Sequence, residues 1–360
     1  MSNGTPATKA GLQDVIAADS AIGRIDGEKG ELRYRGYLIK DLADSSNFVE
    51  TTLLLLDGEL PPRARLEAFT EDLKRLRPID PLIVDLLRTL APRQAPMDCL
   101  RTVVSALSAI DRPQESDGMD VHRERGVRVI AQLPTLLAFY ARLRDGKPVI
   151  EPRDDLGHAA NFLWMLTGEE PSDEVARMFD VCLTLHAEHG FNASTFSARV
   201  TAATLSDMYS AITSAIGTLK GPLHGGANTG VMQMLLEIGD VAKAEPYIEK
   251  MLGERKKVMG FGHRVYKVVD PRALILKEFS RKLAQRPGSG QWFEMSERIE
   301  KLMRERKSID VNVDFYSATT YYQMGIAPDL FTGIFAISRV SGWVAHVLEQ
   351  LANKIGRAHV

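Results

Sequence analysis

The chain has 360 residues, 44% hydrophobic and 26% charged, with 45 basic against 47 acidic side chains and a net charge of −2. This is ordinary globular composition, and the length suggests about two domains. It excludes a global basic field that would recruit nucleic acid or an anionic membrane, so partners must be argued from local sites.

Residues 1–10 are small and polar with no apolar h-region, so no export signal is expected. The apolar runs, such as residues 52–56, are too short to span a bilayer. The two cysteines, Cys99 and Cys182, lie among apolar residues outside any C-x-x-C pattern, which predicts small core residues rather than a disulfide or metal site. Together these predict a soluble cytoplasmic protein.

Along the chain, residues 21–26 and 31–38 flank the turn G-E-K-G and predict a small β-hairpin. After it the periodicity is helical almost throughout. Leu66, Phe69, Leu73 and Leu76 recur at helical spacing behind Pro61-Pro62, a helix-start signal. Val340, Trp343, Val347, Leu348 and Leu351 predict another amphipathic face near the end. Glycine and proline cluster over 217–230, 260–271 and 286–290. The expected fold is all-α: a large helical domain over 1–223, to which 321–360 returns, with an inserted smaller helical domain over 224–320.

Three residues carry the chemical signal: His224 in G-P-L-H-G-G, His263 in G-F-G-H-R-V-Y and Asp314 in N-V-D-F-Y-S. They are separated by 39 and 51 residues, so only tertiary folding can bring them together. Two imidazoles and a carboxylate can remove a proton from carbon, hold an oxyanion and polarise a carbonyl. His224 alone reads equally as a histidine in a tight turn before a helix near residues 231–236. His263, with Arg264, Lys267 and Arg272 nearby, makes a cationic loop suited to carboxylates or phosphates. Asp314 alone reads as an N-cap, or as a base desolvated by Phe315 and Tyr316.

His186 and His189, three apart in H-A-E-H-G-F-N-A-S-T, predict one helical face and a structural or carboxylate-binding pair. Metal-spaced partners are lacking, so no metal is expected. Arg339, in I-S-R-V-S-G-W, is either a snorkelling arginine or a buried one facing a carboxylate.

The segments at 30–37, 56–61, 96–102, 189–196, 221–228, 260–273 and 312–317 resemble the citrate synthase family, in its short bacterial and archaeal form. The resemblance runs from about Gly11 to about Asn353. It implies a homodimeric Si-type enzyme that condenses acetyl-CoA with oxaloacetate and hydrolyses citryl-CoA to citrate and CoA, with no cofactor. It implies Asp314 as the base on the acetyl methyl, His224 on the thioester oxygen and His263 on the oxaloacetate ketone. His189, Arg272 and Arg339 would hold carboxylates, the arginines through planar forks that grip each carboxylate twice. Arg255, Lys256, Lys257 and Lys307 are candidates for the CoA phosphates, against the alternative of a solvated charged face. A 2-methylcitrate synthase using propionyl-CoA and a non-catalytic acyl-CoA or dicarboxylate binder are the competing readings.

Two positions depart from the family pattern. Val311 stands where a proline commonly precedes N-V-D, which predicts a looser turn. The chain ends K-I-G-R-A-H-V in place of an Arg-Pro-Arg segment whose arginine reaches the neighbouring subunit, and that role is not carried over to Arg357. Residues 355–360 can be encoded by ATC-GGA-AGA-GCA-CAC-GTC, which matches a common sequencing-library adapter, so they are expected not to be native. Reading the genomic 3′ end tests this: divergence from the chain after about residue 354 is expected, and an unbroken native frame ending in A-H-V refutes it.

Overall fold

A computed structural model describes residues 18–353 apart from 113, 115 and 116. The expectations for residues 1–10 and for the tail at 355–360 fall outside the described residues.

The predicted hairpin is a three-stranded antiparallel sheet, β1 (Gly23–Asp26), β2 (Glu31–Tyr34) and β3 (Tyr37–Leu38), in that order. The expected second strand is split because Arg35 and Gly36 both take left-handed φ, 48° and 92°. Two such residues in succession reverse the chain in a two-residue turn. Beyond the sheet the described residues are helical, in sixteen α-helices, so the all-α expectation holds.

The helix predicted behind Pro61-Pro62 runs Arg63–Leu76 and buries Phe69, Leu73 and Leu76. Cys99 and Cys182 are buried free thiols, as expected. The helix Phe331–Ala352 is buried on nearly every face instead of one, with Arg339 and His346 enclosed among its apolar residues. Residues Pro328–Ala352 are long and apolar enough to cross a membrane, a span that a search for strict apolar runs misses. Their most apolar stretch is buried by other helices, among them Met119–Arg144 and Ala193–Ala203, and so forms a core helix.

Short polar signals start the helices that matter for the site. Asn192 caps Ala193–Ala203 by accepting from Thr195 N, and Asp270 caps Pro271–Leu283 with proline at the first helical position. Asn312 caps Val313–Gln323 by accepting from Asp314 N at 3.0 Å. Asp314 is therefore a first-turn residue and not the cap that its position in sequence suggests.

Residues 260–262 and 310–312 come together through an antiparallel bridge between Phe261 and Val311. Gly262 N donates to Asp310 O and Asn312 N to Gly260 O, both at 2.9 Å. Val311 is buried, and its own N–H takes no part in the bridge, so valine in place of proline leaves the turn tightly held. The expected loosening does not occur.

Gly260 is required at this crossing. Its φ is +83°, and a Cβ there would stand 2.7 Å from Phe315 Cδ2 and 2.8 Å from Val231 Cγ2. Gly260→Ala is expected to cost about 1–3 kcal/mol from overpacking, with left-handed strain in addition. Urea unfolding checks this, and a loss below about 0.5 kcal/mol would show that the bridge tolerates displacement.

Candidate active site

His224 lies in the turn ahead of the helix Ala227–Ile238, whose cap residue, Gly226, offers no side chain to the first N–H groups. Ser194 N donates to its Nε2 at 3.3 Å, and Ser194 Oγ is 2.8 Å from the same atom. The backbone N–H cannot turn away, whereas the hydroxyl rotates, so Nε2 is the acceptor. The neutral ring then carries its proton on Nδ1. Ser194 is itself fixed by Asn192 Oδ1 at 2.8 Å and Trp343 Nε1 at 3.1 Å.

His263 presents the opposite tautomer. Its Nδ1 accepts from Val265 N at 3.0 Å and from Tyr266 N at 3.1 Å, which leaves the proton on Nε2. Its ring stands 5.3 Å from that of His189, edge to face, and 4.6 Å from Tyr266. Tyr266 Oη also meets His189 Nε2 at 3.3 Å. His189 lies in the loop after the helix Asp173–His186, and His186 is that helix's last residue. The predicted shared helical face is therefore absent: His186 Nδ1 bonds Cys182 O inside the core, while His189 turns to the site. Among the described residues, no group of three or more His, Cys, Asp or Glu is placed to hold a metal.

Asp314 is half-buried, and no protein donor reaches its carboxylate oxygens among the described residues. Burial pushes its carboxyl up to about 6; Arg272 and Arg339 pull it down, and Asp270 adds to the rise. Burial and the charge of Arg339 lower His224 to about 4. Burial and Arg272 also lower His263. His189 is held well below the ordinary histidine range by burial, Arg272 and Arg339. Arg272 acts on Asp314, His263 and His189, and Arg339 acts on Asp314, His224 and His189.

Arg272 is buried against Asp270, which accepts from its Nε at 3.0 Å and its Nη2 at 2.8 Å. Asp270 takes the Nε–Nη2 edge of the guanidinium and leaves the Nη1–Nη2 edge free of protein acceptors among the described residues. Arg339 is 1% exposed, which decides against snorkelling. Its Nε donates to His186 O at 2.6 Å, its guanidinium lies over Phe335, and burial lowers its pKa to about 10. No protein acceptor takes its Nη groups among the described residues.

Arg255, Lys256, Lys257 and Lys307 are exposed, and Lys256 pairs with Glu254 at 2.7 Å. Lys257 alone of the four contributes to the field on Asp314. Two contributors were not singled out from sequence. Asp270 was visible as a cap from D-P-R, but its bond to Val313 N at 3.2 Å depends on the fold. Ser194 sits within the N-A-S-T cap signal, with nothing local to tie it to His224.

A carboxylate without hydrogen-bond partners, two imidazoles with outward N–H groups and two arginines define a site for proton abstraction and carbon–carbon bond formation on anionic carbonyl compounds. Comparison with known proteins narrows this class. The family described as "Citrate synthase, C-terminal domain" matches residues 11–359. A citrate synthase from Haloferax volcanii is 50% identical over 348 residues, covering 95% of this chain and 92% of that protein. A 2-methylcitrate synthase 1 from Corynebacterium glutamicum is 41% identical over 350 residues, covering 96% and 92%. The citrate synthase of Thermoplasma acidophilum, solved with carboxymethyl coenzyme A and oxaloacetate, aligns with a TM-score of 0.90 at 31% identity over 95% of this chain and 92% of that one. The chain belongs to the citrate synthase family.

Asp270→Ala leaves Arg272 buried without its counter-charge and removes the acceptor for Val313 N. A loss of about 3–5 kcal/mol is expected in chemical unfolding. A loss below about 1 kcal/mol would show that the pair is not needed to hold the two helix starts.

Proposed function

We propose that Asp314, His224 and His263 divide the condensation of acetyl-CoA with oxaloacetate, the activity to which membership of the family assigns this chain as a citrate (Si)-synthase. Asp314 takes a proton from the acetyl methyl while His224 Nδ1–H bonds the thioester oxygen, so the enolate forms against a placed donor. The new carbon nucleophile attacks the oxaloacetate ketone. His263 Nε2–H polarises that ketone and passes its proton to the alkoxide. Water then cleaves the citryl thioester to citrate and CoA.

The opposed tautomers carry this reading. Each ring is turned by backbone N–H groups so that a neutral imidazole offers one N–H to the site. A neutral donor suits an enolate oxygen, and losing one such donor costs about 10²–10³-fold in rate. Arg339 through its Nη groups, Arg272 through its Nη1–Nη2 edge, and His189 would hold the two carboxylates. Lys257 is the favoured contact for CoA phosphate, with Arg255, Lys256 and Lys307 further out.

Residues 224–320 are proposed as the smaller body that closes over oxaloacetate and keeps water from the thioester. A homodimer belongs to the same reading: Leu205 and Leu223, 74% and 99% exposed, are apolar side chains that a second copy would cover. The buried free thiols of Cys99 and Cys182 fit a reducing, cytoplasmic compartment. Retention of the whole trio disfavours a non-catalytic binder, which needs no proton-transfer aspartate. The propionyl-CoA alternative differs by one methylene, worth only about 1–3 kcal/mol, and is decided by comparing kcat/KM for the two acyl-CoAs.

The base works only when ionised. Because its folded pKa is raised to about 6, activity is expected to fall as pH drops through about 6, not near 4. His224, lowered to about 4, stays neutral across that window, and His263 is shifted down as well. Asp314→Asn should lower kcat by at least about 10²-fold and abolish this acid limb. A variant with near-normal turnover, or a parent profile flat to pH 4.5, removes Asp314 as the base.

A further inference from the structure

The β1–β2 turn of the N-terminal hairpin, which the reaction above leaves unused, touches the loop that carries His263. Gly27 O accepts from Lys267 N at 2.9 Å. The approach is so close that a Cβ on Gly27 would overlap the Val265 carbonyl oxygen, and one on Gly30 would stand 2.7 Å from Val268 Cγ2. The turn is braced from within, since Lys29 N donates to Asp26 Oδ1 at 3.0 Å.

One peptide unit links this contact to the imidazole. The plane joining Val265 to Tyr266 presents its oxygen to Gly27 and its N–H to His263 Nδ1 at 3.1 Å. A peptide plane is rigid, so a displacement of its oxygen moves its N–H as well. The neighbouring Lys267 N–H is fixed by the same glycine.

We propose that the Gly27 turn is a positioning element for His263, which keeps the Tyr266 N–H, one of two backbone donors, on Nδ1 and so holds the ring with its Nε2–H aimed at the ketone. The proposal rests on His263 serving the ketone. The hairpin lies outside residues 224–320 and the His263 loop within them. The contact therefore crosses between the two proposed bodies, and their closure sets the histidine at the moment oxaloacetate is enclosed. Without it, Nδ1 keeps only the Val265 N–H, the ring turns about that single bond, and the Nε2–H is misplaced from the ketone for part of the population.

Gly27→Ala in the full chain tests this. The backbone of Gly27 is outside the left-handed region, so alanine adds bulk against Val265 without straining the turn itself. A fall in kcat of about tenfold or more is expected, since small misplacements of reacting groups cost up to about 10²-fold. The ¹⁵N shifts of the His263 ring should move as Nδ1 loses one of its two donors. Asp26→Ala, which loosens the brace and adds no bulk, should shift both readings the same way by less. Glu28→Ala, exposed in the same turn, should change neither. Parent-like kcat and ring shifts in Gly27→Ala overturn the proposal, as does a lost kcat with unchanged ring shifts. If His263→Ala retains activity, the catalytic reading fails instead, and the ring shifts of Gly27→Ala still report on the turn.

Discussion

The buried Asp270 carboxylate accepts hydrogen bonds from Arg272 N, Nε and Nη2 and from Val313 N. Through these bonds one side chain starts the helix Pro271–Leu283, neutralises a buried guanidinium and ties down the first turn of the helix carrying Asp314. An isolated carboxylate is too costly to bury, and so is an isolated guanidinium; joined by two parallel N–H···O bonds, both can stay inside. The Phe261–Val311 bridge then sets the His263 loop beside the same helix start. Asp314, His263 and Arg272 are thus parts of a single cross-linked block. His224 is held separately, by Ser194 and the core helix Phe331–Ala352 through Trp343 and Phe335.

Desolvation gives the site its protonation states. Burial disfavours every charged form, which raises the carboxyl of Asp314 and lowers the histidines. The outcome is a carboxyl raised to about 6 beside two imidazoles that favour the neutral form. The arginines deepen the effect on the rings and moderate it on the carboxylate, which keeps Asp314 ionisable. A site open to water would hold these groups near their ordinary values, where aspartate is a weaker base and histidine is partly cationic.

Much of the secondary structure was legible from local signals. Pro61-Pro62 and the spacing of Leu66, Phe69, Leu73 and Leu76 fix one helix, and D-P-R fixes the start of another. Local signals failed where two segments compete for the same role. N-V-D offers two capping residues; Asn312 takes the cap and Asp314 is released toward the cleft, a choice made by the bridge and by Asp270 rather than by propensity. H-A-E-H suggested one helical face, but the helix ends at His186, and the two rings part company. One edge of the Arg272 guanidinium is taken by Asp270, which leaves the Nη1–Nη2 edge free among the described residues.

From the sequence alone came the residue types and their surroundings: histidines in glycine-rich turns, an aspartate before aromatics, an arginine inside an apolar helix, and motifs long enough to resemble one family. These are local facts, written in neighbours along the chain. Which nitrogen of His224 keeps its proton, how Asp270 ties two helix starts together, and that a hairpin near residue 27 presses on the loop of His263 were decided only by tertiary structure. Each depends on a hydrogen-bond partner tens to hundreds of residues away. A donor's direction in space belongs to the packed fold and has no signature in the spacing of residues.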